Sequence, residues 1–405
     1  MRNRAAVIGA GVSGLTCGVV FAERKWDVTI FADETGQKTT SGAAAAVWFP
    51  YDAEPADKVI PWSLITYQRL RELARDSRSG VSLLEIWQFT RAGQIPIPDW
   101  AKNLGARPIS VIPSEVEGSL RIPALPSIFS HGYALNVPLI DTTIYLDYLA
   151  NRFHNAGGTI ESAHINKVEE IPRDFDVIVN CAGIGARELA RDSELEPHRG
   201  QVVIVPKLDL AQAIVCDDAP LMYAIPRTHD CVFGGTNSIS ENRAPSAADT
   251  TAIVSECSRI LGIEAPPVIV VKVGLRPFRK SGVRLERERL SDGRTLIHNY
   301  GHGGAGFTLS WACAEEVWAI VSRTGKDIPV SVPRNLFREI WPNTNHDPRT
   351  SFESRPQRRR NYWLSSLKVT DRCAKLADKF RTGRPCDVIQ YGIDPSGYLV
   401  EVLAP

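Results

Sequence analysis

The feature that most constrains this chain is Gly9-Ala10-Gly11-Val12-Ser13-Gly14, set between an apolar run and a helix-forming stretch. In a G-x-G-x-x-G turn the first glycine makes the bend, the second lets backbone approach a pyrophosphate, and the third lets the helix pack closely on the strand. A strand from Ala5 to Gly9, a helix from Gly14 to Arg24 and a strand from Asp27 to Ala32 are therefore predicted as a βαβ start. Asp33 ends the second strand, where a carboxylate hydrogen-bonds a ribose 2′-OH and disfavours a 2′-phosphate. The uncharged stretch Ala5 to Ala22 mimics a signal peptide or a short membrane span, but its glycine pattern reads as buried strand, turn and helix.

Parallel-strand signals return far along the chain. Asp176 to Cys181 ends in Ala182-Gly183-Ile184-Gly185, and Leu296 to Gly306 leads into a helical Phe307 to Ser322. The nucleotide domain is thus expected to be discontinuous, from residues 1–55, 138–195 and 290–325. Strand-like stretches at Val81 to Thr90, Gly200 to Val205, Cys231 to Gly235 and Val268 to Gly274, with helical patterns at Ser63 to Arg75 and Ala247 to Leu261, fit a second domain. That domain, residues 56–137 and 196–289, is expected to be mixed and largely antiparallel. The fold class is α/β and α+β. Residues 326–405 form a basic extension of unknown fold, with a small hairpin predicted around Pro395-Ser396-Gly397 inside Asp387 to Leu403.

Charge narrows the partners. Lys and Arg number 47 against 46 Asp and Glu, a net +1, so no global field recruits nucleic acid or an anionic membrane and small molecules are the expected partners. From Ser331 onward 13 basic residues face 8 acidic ones, and Arg355 to Arg360 is read as a solvated linker rather than a polyanion site. The 8 cysteines include no C-x-x-C pair, which favours a reducing compartment and no metal site. A cytoplasmic location is expected, with no signal peptide, no transmembrane segment, and a Val402-Leu403-Ala404-Pro405 end unlike a Ser-Lys-Leu address. Homo-oligomerisation is left open.

Two segments bear on which dinucleotide. Thr39-Thr40-Ser41-Gly42-Ala43-Ala44-Ala45-Ala46-Val47-Trp48-Phe49-Pro50-Tyr51 runs from small residues to aromatics, which suits a flat ring against backbone, or else a small-residue packing seam. Gly301, Gly303, Gly304 and Gly306 then open a helix whose N-terminus meets the negative end of a reduced isoalloxazine. A catalytic His302 is the other reading of that turn.

These residues carry a resemblance. The Gly9 turn, the Thr39 to Tyr51 segment, Pro138-x-Ile140-Asp141 with Tyr145-Leu146, Asn180-Cys181-Ala182-Gly183-x-Gly185-Ala186, Arg199-Gly200-Gln201, Gly274-Leu275-Arg276-Pro277 and His298 to Gly304 occur in order. From about residue 1 to 325 the chain resembles the D-amino-acid oxidase family. The resemblance implies a Rossmann-like FAD-binding domain plus a substrate domain, and an oxidase that turns D-amino acids into imino acids while reducing O₂ to hydrogen peroxide. It implies FAD contacts at Gly9, Gly11, Val12, Ser13, Gly14, Asp33, Thr39, Thr40, Ser41, Ala45, Ala46, Val168, Gly183, Gly303, Gly304, Gly306, Phe307 and Thr308.

For the substrate it implies Arg276 as the carboxylate-binding arginine, Tyr223 as a second donor, and the Gly304 carbonyl as acceptor for the amine. A planar guanidinium gripping a carboxylate agrees on chemical grounds. An ion pair of Arg276 with Glu286, and Tyr223 as simple core, are the structural alternatives. Val47, Phe49, Met222 and Tyr223 make an apolar pocket, and only Arg227 and Arg279 offer a further cation, so neutral D-amino acids are expected over D-aspartate. Departures from the family pattern are Ala219 in place of a lid tyrosine, a short Cys216 to Tyr223 stretch, and Ala312 in place of a glycine. The alternatives are a glycine- or sarcosine-type amine oxidase, an FAD dehydrogenase with another acceptor, and a flavin-binding protein without turnover.

Overall fold

The computed structural model describes residues 3–91, 93, 95–109, 129, 131–322, 390–393 and 399–402. β1 (Arg4–Ala10), α1 (Val12–Glu23) and β2 (Asp27–Thr35) make the opening unit. The two strands pair in parallel from Arg4↔Asp27 to Ile8↔Phe31. Gly9 takes φ +102°, open to glycine, and a Cβ on Gly14 would run into the Gly9 carbonyl. Ten of the twelve residues of α1 are buried, so the uncharged run is a core helix.

β6 (Thr159–Ser162), β7 (Val177–Asn180), β14 (Arg284–Arg289) and β15 (Thr295–Tyr300) complete a six-stranded sheet in the order β14-β15-β7-β1-β2-β6. Every pairing is parallel except the β14/β15 edge. That edge corrects a domain boundary. Arg284–Arg289 was expected in the second domain, but it pairs with β15 from Arg284↔Tyr300 to Arg289↔Thr295. Its sequence RLERER is almost all charge, so no apolar period tells which sheet it joins; the short connection to β15 does.

The second sheet holds β3 (Val81–Thr90), β4 (Arg107–Ile109), β5 (His131–Ile140), β8 (Leu195–Pro206), β9 (Gln212–Cys216), β10 (Met222–Pro226), β11 (Asp230–Gly234), β12 (Ser238–Ile239) and β13 (Val270–Arg279). Their order is β12-β8-β11-β10-β9-β3-β5-β4, with β13 also paired to β8. Only β3/β9 is parallel. The remaining helices are α2 (Thr40–Ala43), α3 (Ala56–Leu73), α4 (Asp99–Asn103), α5 (Thr142–Asn155), α6 (Ala186–Leu189), α7 (Ala247–Leu261) and α8 (Gly306–Ser322). α3 starts seven residues ahead of the expected Ser63. α8 packs on α1 and α3, burying Trp311, Cys313, Ala314 and Val317, and thereby fixes the glycine turn at its own N-terminus beside the one ahead of α1.

The chain forms two compact units, Met1–Asn343 and Thr344–Pro405. In the second, β16 (Gln390–Ile393) pairs antiparallel with β17 (Leu399–Val402), the expected hairpin, while Arg355 to Arg360 and the turn itself lie outside the described residues. Among the described residues no helix is long and apolar enough to cross a membrane, and no His, Cys, Asp and Glu group is placed to hold a metal.

Candidate active site

One cavity runs between the two sheets of the first unit. At one end it is lined by the turn residues Gly9, Gly11, Val12 and Ser13, by Asp33 and Glu34, and by Gly183. Its middle is walled by Thr39, Thr40, Ser41, Ala45, Ala46 and Val47 on one side and by Gly303, Gly304, Gly306, Phe307 and Thr308 on another. Phe49, Tyr51, Tyr223 and Arg276 close the far end. Hydrogen bonds stitch these walls together. Val12 N donates to Ser41 Oγ (3.0 Å), and Thr308 Oγ1 both accepts from Phe49 N (3.1 Å) and donates to its carbonyl (2.9 Å).

Asp33 stands at the nucleotide end with its carboxylate 2.7 Å from His164 Nδ1, a contact that raises the pKa of His164. The first turn of α8 leaves amides without intrahelical partners, and Gly306, Phe307 and Thr308 bring that turn to the cavity. The Gly304 carbonyl accepts no hydrogen bond among the described residues. His302 is buried against Asn299 Oδ1 (3.1 Å), and burial lowers its pKa to about 4. It is neutral at neutral pH and held against Asn299.

Arg276 forms no ion pair among the described residues. Its Nη1 donates to the Thr236 carbonyl (3.1 Å) and to Asn237 Oδ1 (3.5 Å), and Glu286 pairs with Arg284 instead. Asn237 in turn donates to Tyr51 Oη (3.2 Å), so it links the guanidinium to a second phenol that sequence reasoning had not singled out. Burial pushes Tyr51 up to about 12, with Asp217 adding to the rise and Arg276 opposing it. Burial likewise raises the Tyr223 phenol while Arg276 pulls it back, so both hydroxyls keep their protons at neutral pH. Glycines make the room: a Cβ on Gly234 would collide with the Tyr223 ring.

Five expected residues stand elsewhere. Val168 packs behind the wall with Ala6, Ile8 and Phe31, off the cavity surface. Met222 faces the core of the second sheet, because strand alternation sends Tyr223 and Ile225 to the cavity and Met222 and Ala224 away from it. Arg227 is buried in a two-toothed pair with Asp230 (2.7 Å for each bond), and Arg279 pairs with Asp192 (2.7 Å). Gly14 serves helix packing rather than the wall. Among the cavity residues that carried no signal in the sequence are Gln88 on β3 and Asp217 beyond β9. The stretch expected to be short is so: Asp217 to Leu221 is a five-residue connection, tied down where Asp218 Oδ2 accepts from Thr90 Oγ1 (2.6 Å) and Arg91 N (2.7 Å).

Comparison with known proteins agrees with this geometry. The family model described as FAD dependent oxidoreductase matches residues 4–319. A D-amino-acid oxidase from Rubrobacter xylanophilus is 40% identical over 324 residues, 78% of this chain and 95% of that relative. The chain belongs to the D-amino-acid oxidase family of FAD-dependent oxidoreductases. A human D-aspartate oxidase is 32% identical over 346 residues, 82% of this chain and 98% of that protein. Among solved structures, a glycine oxidase from Geobacillus kaustophilus shares the fold with TM-score 0.68 at 17% identity, covering 81% of this chain and 97% of that one.

In this family frame the cavity fits FAD. A Cβ on Gly11 would press on Ser41 Oγ at 3.2 Å, so the bare backbone there forms a cradle beside α1, and small residues from Thr39 to Ala46 leave the middle of the cavity open. The acceptor at Asp33 would suit a ribose, and the amide-bearing turn of α8 would suit an electron-rich ring.

Proposed function

We propose that this protein oxidises D-amino acids, with the free Arg276 guanidinium facing the cavity as the observation that carries the reading. Its partners are a small D-amino acid and O₂. The chemistry FAD supplies when bound is acceptance of a hydride from the substrate Cα and delivery of two electrons to O₂ as hydrogen peroxide; the imino acid left behind hydrolyses to a 2-oxo acid and ammonia. Gly9, Gly11, Val12, Ser13, Asp33, Thr39 to Ser41, Ala45, Ala46, Gly183, Gly303, Gly306, Phe307 and Thr308 would hold the cofactor. The two sheets of the first unit divide the work, the parallel one for FAD and the antiparallel one for substrate.

This chain's own residues orient the substrate. Arg276 grips the carboxylate with a planar fork, and Tyr223 adds a directed O–H donor. The Gly304 carbonyl accepts from the amine, which must lose its extra proton before hydride leaves. No side-chain base is needed, so the site works by positioning and by excluding water. Val47, Phe49, Ile86 and Ile225 give apolar walls to a neutral side chain. Among the described residues Arg276 and Arg243 are the cations that line the cavity, and Arg243 is paired with Glu34, which leaves no free cation among them to receive an acidic substrate side chain. A cytoplasmic location belongs to the same proposal, and the six cysteines among the described residues, all free and buried, fit a reducing compartment. Peroxide release by the yellow protein against D- and L-amino acids tests the reading. Activity with L-enantiomers only, or none with either, would overturn it.

A further inference from the structure

The Arg199-Gly200-Gln201 run has two faces, and the proposed reaction uses one of them. Strand alternation along β8 sends Gly200 and Val202 to the cavity and Arg199 and Gln201 to the opposite face, where both are buried. There Arg199 holds the backbone of segment 240–246: its Nε donates to the Asn242 carbonyl and its Nη2 to the Ala244 carbonyl, each at 2.9 Å. One guanidinium thus grips the chain on both sides of Arg243. Gln201 fixes the end of the segment, its Nε2 donating to the Ser246 carbonyl (2.8 Å) and its Oε1 accepting from Ser246 N (2.8 Å). Between β12 and α7 the segment has neither helix nor strand, so these buried side chains give it its fixed path.

That path carries two opposite charges to the parallel layer. Glu241 pairs with Arg187 Nη1 (2.8 Å), and Arg243 donates to both carboxylate oxygens of Glu34, at 2.6 and 3.3 Å. The two anchors flank one feature. Glu34 follows Asp33 at the carboxyl end of β2, and Arg187 lies on α6, directly after the Gly183 turn that follows β7. In the sheet order β7-β1-β2 they stand on either side of β1, whose carboxyl end runs into the Gly9 turn where a pyrophosphate would lie. Glu34 and Arg243 line the cavity beside Asp33, whereas Arg187 and Glu241 stand off its surface. A loop of the antiparallel layer is therefore tied down on both sides of the strand end that would carry the dinucleotide.

We propose that segment 240–246 is a strap across the nucleotide end of the cavity, tied by Glu241 to Arg187 and by Arg243 to Glu34, and that it retains FAD by slowing its release. This rests on FAD lying with its pyrophosphate at the Gly9 turn. Both ties are partly exposed, so each contributes modestly and is screened by salt, while the buried Arg199 bonds keep the strap poised to close again.

The test follows FAD release from full-length holoprotein after dilution, as flavin passing a filter over time. An exposed pair is worth a factor of roughly 1.4–5, so Glu241→Gln combined with Arg243→Gln should release FAD roughly 2–25-fold faster. Raising salt from about 0.1 to about 1 M shortens the screening length from about 10 to about 3 Å, and should speed release from the unmodified protein more than from this double variant. Arg187→Glu alone should also speed release, and Glu241→Arg in the same protein should reverse the effect. Neither side chain lines the cavity, so that rescue reports the tie rather than contact with FAD. Native release from the double variant, equal salt dependence in the two proteins, or no rescue by the reversed pair would each overturn the strap while leaving FAD in its place. Unmodified protein that takes up no FAD would overturn the strap and the cofactor placement together.

Discussion

The Arg276 guanidinium occupies space that only a glycine at position 200 leaves open. A Cβ on Gly200 would meet the guanidinium carbon and one of its nitrogens at 2.5 Å, and the two residues sit on the paired strands β13 and β8. The most chemically loaded side chain of the site is therefore positioned by the absence of a side chain on its neighbour. Gly200→Ala should push the guanidinium aside and lower kcat/KM for D-amino acids roughly 10–100-fold, with a stability loss of about 1–3 kcal/mol from overpacking. Peroxide kinetics on FAD-loaded protein check this. Unaltered kinetics would mean that the fork tolerates displacement.

Removing the guanidinium itself should cost more. Arg276→Ala should retain FAD while losing roughly 10²–10⁴ in kcat/KM, the scale expected when one partner of a desolvated charge pair is deleted. Arg276→Lys should recover only part, because an ammonium has no planar fork. The control is an amine without a carboxylate, whose slow oxidation should hardly change. Near-normal D-amino-acid kinetics in folded, yellow Arg276→Ala would place the carboxylate elsewhere.

Burial of His302 makes a prediction about acid. Its folded-state pKa is lowered from 6.5 to about 4, so between those values the unfolded chain binds a proton that the folded chain refuses. Stability contributed by the neutral imidazole is present above pH 6.5 and is lost as pH falls towards 4, by roughly 3 kcal/mol in full. His302→Gln should flatten the fall in denaturant midpoint between pH 7 and pH 4.5 relative to the unmodified protein. Identical pH profiles for the two proteins would show that His302 titrates normally.

The family match ends at residue 319, and the first compact unit ends at Asn343. Protein truncated after Asn343 should keep FAD and peroxide release within about threefold of the full chain, a change under 1 kcal/mol. Loss of turnover in a soluble, FAD-loaded truncation would bring the second unit into catalysis.

The sequence alone was enough to determine the βαβ opening and the discontinuous parallel layer, and to single out Arg276 and Tyr223, which line one cavity. Those are local matters: a glycine turn needs its glycines in order, and Gly274-Leu275-Arg276-Pro277 and Tyr223-Ala224-Ile225-Pro226 are contiguous words. Which side of a strand a residue faces was decided by tertiary pairing. Met222 beside Tyr223 looked equally suited to the pocket, and Arg279 three residues beyond Arg276 looked like a second cation; alternation and the acid at Asp192 took both away. Asp217-Asp218 carries no signal in the sequence, because nothing along the chain tells one carboxylate from the other. Only the packing of β3, β9 and β10 distinguishes them, by giving Asp218 the donors of Thr90 and Arg91 and leaving Asp217 to Gln88 and the cavity. Satisfaction of a polar group depends on partners that are distant in sequence, which is why the difference between the two carboxylates becomes visible only in three dimensions.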